Sequence, residues 1–260
     1  MNHRSMPRRV AIAQIAMHWT TAENLSAIRK AAALASSRGA ALCCFAELAV
    51  TGFHREIARE ARPEVVGPAL QDIHRQAAAL SLGIAVGAPT FAADGARLNS
   101  HLLIDEQGKT AAVVSKRGLT DPEATFFARG RSRPVGVVQG LRCSAVICRE
   151  VGDLDLVLTE LPPGAADLIF VPGALRQDPD KPRTDPPEYV HDIRRLALAV
   201  GAYVIHTNWP NALNRPEESA EAGGSTVAAP DGEVLFRLPM QQSGVAVFNL
   251  GERAFEWHPQ

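Results

Sequence analysis

The sequence has little cysteine, and what it has is arranged without a staple. Four cysteines occur in 260 residues, Cys43, Cys44, Cys143 and Cys148. None shows the paired C-x-x-C spacing of a zinc site or a thioredoxin-like motif. Free thiols in a reducing, cytoplasmic setting are expected, with one available for chemistry and the rest packed as small hydrophobes. Long apolar runs are also missing. Arg, Gln or Asp interrupts every stretch well before the ~20 residues that cross a bilayer, which argues against a membrane partner. The basic-then-apolar start, Met6 to Ala13, ends at Gln14 and His18 and reads as a first strand rather than a signal peptide. Charge of one sign is lacking too. Lys+Arg 27 against Asp+Glu 28 leaves a net charge of -1, too little field to hold nucleic acid or an anionic membrane. A small neutral or zwitterionic partner fits better. The eight histidines show no metal-ligand spacing, and His191-Asp192 reads as a pair on a helix surface. No polar Pro/Gly-rich linker divides the apolar segments between Val10 and Phe248, so residues 1–260 are expected to form one domain.

What is present is alternation. Val10 to Ile15 is strand-like, and Thr20-x-x-Glu23 is a capping box opening a helical pattern through Leu25, Ile28, Ala31 and Leu34 to Gly39. Ala41 to Phe45 reads as a buried strand, followed by a loop with Gly52 and Pro63, a helix from Pro68 to Leu82, and a strand from Ile84 to Ala88. Hairpin strands Leu98 to Ile104 and Thr110 to Val114 flank the turn Asp105 to Gly108. The second half repeats this order: strand Arg142 to Ile147, a short helix before Pro162, strand Asp167 to Val171, helix Pro187 to Val200 and strand Ala202 to His206. Hairpin strands follow at Ser225 to Ala229 and Glu233 to Leu238, around Pro230-Asp231-Gly232, and Gly244 to Phe248 is the last strand. The pattern predicts an α/β fold, a four-layer αββα sandwich with two internally similar βαβαββ halves.

Ligands in such folds gather at the carboxyl ends of strands. There, Glu47 closes the run Ala41 to Ala46, Lys116 closes Ala111 to Ser115, and Cys148 follows Ala145-Val146-Ile147. A carboxylate can take the proton of a thiol, and a cation can stabilise the thiolate and the oxyanion that develops after its attack. Taken singly, each has a blander reading: a loop carboxylate, a solvated charge, a small buried hydrophobe. Cys43 and Cys44 do not end their strand, and Cys143 opens its own, so these are expected to be core.

At these residues the sequence resembles the nitrilase superfamily of carbon-nitrogen hydrolases, in its amidase-like branch. Phe45-Ala46-Glu47-Leu48-Ala49-Val50-Thr51-Gly52-Phe53 is similar to its glutamate motif, Ser115-Lys116-Arg117 to its lysine motif, and Val146-Ile147-Cys148-Arg149-Glu150 to its cysteine motif. Glu123 to Gly130 resembles the segment of the family's second glutamate, and Gly164 to Pro172, Ala202 to Asn208 and Gly223 to Gly232 resemble further family segments. The likeness spans Val10 to Phe248. Ala46 stands where the glutamate motif usually has Pro, Arg149 where an aromatic or small residue is common, and Gly152-Asp153-Leu154 where Phe-Pro-Glu is usual.

The resemblance implies hydrolysis of a non-peptide carbon-nitrogen bond, in an amide or N-carbamoyl group rather than a nitrile, through a cysteine thioester. It implies Glu47 as general base, Lys116 as electrostatic stabiliser, Cys148 as nucleophile and Glu123 as a fourth catalytic residue. No metal or organic cofactor is implied, and a homodimer or larger homo-oligomer is. Substrate-binding candidates are Phe53, Arg149, Glu150, Asn208 and Trp209. Arg149 either pairs with a substrate carboxylate or salt-bridges Glu150 or Asp153 outside the pocket. Trp209 either lines the pocket or sits at an oligomer contact. The loop Arg176 to Pro187 reads as an ordinary surface loop, with a lid as the alternative. Two rival functions remain: acyl transfer to an amine with the same triad, and a non-catalytic binding protein on the same fold.

Overall fold

The computed structural model describes residues 9–176 and 184–260. The first strand, β1 (Arg9–Gln14), leads through α1 (Thr21–Ser37) to β2 (Leu42–Cys44). As its capping box implies, α1 starts at Thr20, whose side chain accepts from the Glu23 N–H. The short α2 (Ile57–Glu60) precedes α3 (Pro63–Leu80), β3 (Gly83–Phe91), β4 (Arg97–Ile104) and β5 (Thr110–Ser115). A one-turn helix, α4 (Asp121–Ala124), then leads to β6 (Gly136–Val138) and β7 (Leu141–Ala145). The second half continues through a 3-10 turn (Cys148–Gly152), α5 (Leu154–Glu160), β8 (Leu168–Gly173), α6 (Glu188–Val200) and β9 (Tyr203–Asn208). After a second 3-10 turn (Pro216–Glu221) come β10 (Thr226–Ala228), β11 (Val234–Arg237), β12 (Gly244–Asn249) and β13 (Phe255–Pro259).

Two sheets form, ordered β13-β12-β1-β2-β3-β4-β5 and β11-β10-β9-β8-β7-β6. Within them the halves match strand for strand. The parallel trio β1-β2-β3 extended by antiparallel β4 and β5 has its counterpart in β7-β8-β9 extended by β10 and β11. The halves do not each close their own sheet, however. The strand expected to finish the second half, β12, pairs antiparallel with β1, from Arg9 opposite Asn249 to Gln14 opposite Gly244, and so belongs to the first half's sheet.

Period-2 alternation explains the layering. In β1, Ala11 and Ala13 join a core shared with Ile28 and Ala31 of α1 and Ile73 and Ala77 of α3. Val10 and Ile12 point the other way, into a core shared with Cys143, Ala145, Leu168 and Phe170 of the second sheet. Beyond that sheet, Ile169, Val171 and Val204 meet Val190, Ile193 and Leu196 of α6 in a third core. The helix expected from Pro68 begins at Pro63 instead, with Pro68 inside it. Pro63 supplies the favourable first-turn φ, and burying Val66 and Ala69 with Ile73 offsets the donor that Pro68 removes.

Candidate active site

Two strand ends and a one-turn helix deliver one buried chain of charge. Glu47 lies in the turn after β2, Lys116 follows β5 directly, and Glu123 sits in α4. Lys116 Nζ donates to Glu47 Oε1 at 2.8 Å and to Glu123 Oε1 at 2.5 Å. The Lys116 side chain is 1% exposed. Burial disfavours its charge, but the charges of Glu47, Cys148 and Glu123 more than reverse that, so Lys116 is held above the usual lysine range.

Each member is fixed by its local backbone. Phe45 N–H donates to Ala85 O at 2.9 Å and Val50 N–H to Gly87 O at 3.0 Å, which lays the Glu47 turn along β3. Only a glycine permits this approach: a Cβ at Gly87 would lie 2.6 Å from Ala46 O and would press on Leu48 N. Lys116 is gripped by its own backbone, its N–H donating to Asn99 O at 2.7 Å and its carbonyl accepting from Gly130 N–H at 2.8 Å. Glu123 completes a capping box. Its Oε2 accepts from Thr120 N–H at 2.9 Å, which turns Oε1 toward Lys116.

The two oxygens of Glu47 differ. Oε1 is taken by Lys116 and by Asn99 Nδ2, at 2.8 Å each. Oε2 is buried and has no hydrogen-bond partner among the described residues. A buried carboxylate oxygen left in that state costs about 1–3 kcal/mol, so its retention points to use.

Cys148 opens the 3-10 turn at φ 55°, a left-handed conformation disfavoured for any residue with a Cβ. It is partly exposed, whereas Cys43, Cys44 and Cys143 are buried, and all four are free thiols. Burial and then the Glu47 charge push the Cys148 thiol up to about 12, with Lys116 and the Ala174 backbone N–H pulling it back. The charges of Glu47 and Lys116 thus act on the thiol in opposite directions, and it is protonated near neutral pH.

The substrate-binding candidates scatter. Arg149 is exposed and pairs with Asp153 at 3.1 Å while donating to Gly118 O at 3.3 Å, the outward alternative of the two expected for it. Glu150 is buried, with both oxygens engaged by the backbone N–H groups of Ile147, Arg117 and Gly118 and by Arg133. Asn208 is likewise occupied, donating to Leu175 O at 2.7 Å and Gly223 O at 2.8 Å. Trp209 is 1% exposed, so it is no surface contact; its indole N–H donates to Glu47 O at 3.0 Å. Phe53 is half-buried against Leu48, Leu119 and Phe127, beside the Glu47 turn. Of the loop Arg176 to Pro187, residues 177–183 lie outside the described residues, and so does any lid there. His191 is exposed on α6, as its surface reading expects.

Sequence reasoning passed over Asn99 and Arg133. Asn99 had a signal: with His101 and Leu103 it alternates along the buried part of β4, where an amide needs a polar partner. Arg133 had none, since it lies in an irregular stretch among other arginines. No cluster of three or more His, Cys, Asp or Glu is placed to hold a metal among the described residues.

A fold of this kind, with a thiol beside a buried Glu-Lys-Glu chain, defines a class, and comparison with known families agrees. The family model described as carbon-nitrogen hydrolase matches residues 9–257, and the chain belongs to that family. Among curated proteins, Hydrolase MT0498 of Mycobacterium tuberculosis is 29% identical over 241 residues, covering 87% of this chain and 84% of its own. Among solved structures, an amidase from Nesterenkonia sp. is 26% identical with a TM-score of 0.79, covering 95% of this chain and 91% of its own. A glutamate variant of the Nesterenkonia sp. AN1 amidase, with covalent addition of the acetamide moiety of fluoroacetamide at its active site cysteine, is 25% identical. It has a TM-score of 0.80 and covers 96% of this chain and 92% of its own.

Proposed function

We propose that the protein hydrolyses the amide or N-carbamoyl bond of a small molecule, with Cys148 as nucleophile. The observation that carries this reading is Glu47 Oε2, buried and without a hydrogen-bond partner among the described residues, on a carboxylate whose charge raises the Cys148 thiol. A general base must hold a free acceptor within reach of the proton it takes, and Oε1 is already committed to Lys116 and Asn99. Glu47 Oε2 takes the Cys148 proton as sulfur attacks the carbonyl carbon. Lys116 and the Arg149 backbone N–H then stabilise the oxyanion. Collapse of the tetrahedral intermediate breaks the carbon-nitrogen bond, with Glu47 returning the proton to the departing amine and leaving a Cys148 thioester. Water, deprotonated by Glu47, hydrolyses that thioester. Glu123 holds Lys116 in place throughout and balances its charge.

The amidases among the structural neighbours support the choice of amides, and the thiol adduct of one of them supports a cysteine nucleophile. A homodimer or larger assembly is part of the same reading, as the family resemblance implies. Ammonia release from a panel of amides, N-carbamoyl compounds and nitriles, compared between wild type and Cys148→Ala, tests the activity. Release from an amide or N-carbamoyl compound that vanishes in the variant is expected. Release that persists in Cys148→Ala, or none from any compound, defeats the proposal.

A further inference from the structure

We infer that Glu150, through a carboxylate clamped between two backbone segments, sets the distance between the Cys148 thiol and the Lys116 ammonium. This rests on the reading of Cys148 as nucleophile. Cys148 and Lys116 come from different sheets: β7 lies in the six-stranded sheet and β5 at the edge of the seven-stranded one. Among the described residues no strand pairing ties these two ends together, because β5 pairs only with β4, and β7 only with β6 and β8. Glu150 ties them. Its Oε2 accepts from the N–H of Ile147, the residue before Cys148, at 2.8 Å. Its Oε1 accepts from the N–H of Arg117, the residue after Lys116, at 2.7 Å, and from Gly118 N–H at 2.9 Å. One carboxylate thus holds the backbone immediately flanking both functional side chains.

The carboxylate is held as an anion. Burial opposes its charge, but Arg133 and the Gly118 and Ile147 N–H groups outweigh that and keep Glu150 below the usual carboxylate range. Arg133 also donates to Ala145 O at 2.7 Å, anchoring the clamp to the end of β7. Space around it is tight, since a Cβ at Gly118 would lie 3.0 Å from Glu150 Cγ. The acceptor geometry cannot be reproduced by an amide. In Glu150→Gln one side of the clamp keeps an oxygen, while the other meets an NH2 group facing a backbone N–H, and that segment must move. Such a shift moves sulfur relative to the lysine that stabilises the oxyanion, which reduces turnover more than binding.

Two variants test this, each measured as kcat per alkylation-titrated Cys148 thiol, so that misfolded protein does not count. Glu150→Gln is expected to lose about 100-fold in kcat with KM changed less than about threefold. Gly118→Ala leaves every charge in place; its Cβ would meet Glu150 Cγ and Arg149 Nη1, each at 3.0 Å, so it presses on the clamp and on the exposed Arg149 together, and it is expected to lose kcat in the same pattern to a smaller extent. If Glu150→Gln does not fold, Gly118→Ala made in an Arg149→Ala background, where Glu150 Cγ is the nearest remaining neighbour of the new Cβ, decides. A folded variant whose kcat per titrated thiol stays within about twofold of wild type overturns the clamp. Wild type that is itself inactive on every amide and N-carbamoyl compound, with unlabelled Cys148, signals instead that the nucleophile reading has failed.

Discussion

At the scale of single residues, opposing charges act on one thiol. Glu47 raises the Cys148 thiol and Lys116 lowers it, on top of a larger effect of burial. Removing the Glu47 charge therefore separates acidity from catalysis. In Glu47→Gln the Cys148 thiol is expected to ionise at lower pH, and alkylation by iodoacetamide at pH 8 to quicken, while amide hydrolysis falls by about 100-fold or more as the base is lost. A pH series of alkylation rates on both proteins checks the direction. Slower alkylation in the variant would mean that Glu47 does not press on the thiol. Thr120 offers a milder perturbation. Its N–H and hydroxyl both donate to Glu123 Oε2, so Thr120→Ala is expected to cost about 1 kcal/mol in urea unfolding and to loosen the partner of Lys116.

Elements place these residues, and Gly87 shows how closely. The Glu47 turn lies on β3 at a position where any Cβ collides with backbone. Gly87→Ala is expected to destabilise the fold by about 1–3 kcal/mol and to displace Glu47, so activity should fall further than stability alone explains. Urea midpoints and kcat measured together check this. The same elements mark what the sequence could convey. Strand ends bearing Glu47, Lys116 and Cys148 were legible because a short apolar run and a reactive residue at its end are both local signals. The capped start of α1 was legible for the same reason. The start of α3 was not, because Pro68 reads locally as a first-turn proline and only tertiary burial of Val66 carries the helix back to Pro63. The roles of Glu150 and Trp209 were hidden because both depend on partners far along the chain: Trp209 bonds to Glu47 O from 162 residues away. Pairing of β12 with β1 was hidden likewise, since a strand's periodicity does not name its neighbour.

Across the whole molecule, buried imidazoles couple stability to acid, most strongly the two of the three that lack a hydrogen-bond partner among the described residues. His101 lies beside Phe170 and His206 beside Tyr189, and neither ring has a hydrogen-bond partner among the described residues. Burial lowers His101 to about 3, and burial with the Arg237 charge lowers His206 to about 3. Both stay neutral in the folded state while the unfolded chain takes up protons near pH 6.5. Stability is therefore full above that pH and falls as pH drops from 6.5 toward 3. Each histidine contributes a slope of up to about 1.4 kcal/mol per pH unit. Urea midpoints at pH 7 and pH 5 should show the loss, and His101→Phe, which removes the titrating ring beside Phe170, should reduce it. An unchanged midpoint between those pH values would contradict the burial of both rings.

The account as a whole turns on a covalent bond from the substrate acyl group to Cys148. Its most direct test is intact-mass spectrometry of wild-type protein, quenched in acid during turnover of an amide, with peptide mapping of the adduct. A mass increase equal to the acyl group, confined to the peptide containing Cys148 and absent from Cys148→Ala, is the predicted result. Turnover that continues with no adduct at any quench time, or an acyl group mapped to another residue, would contradict it.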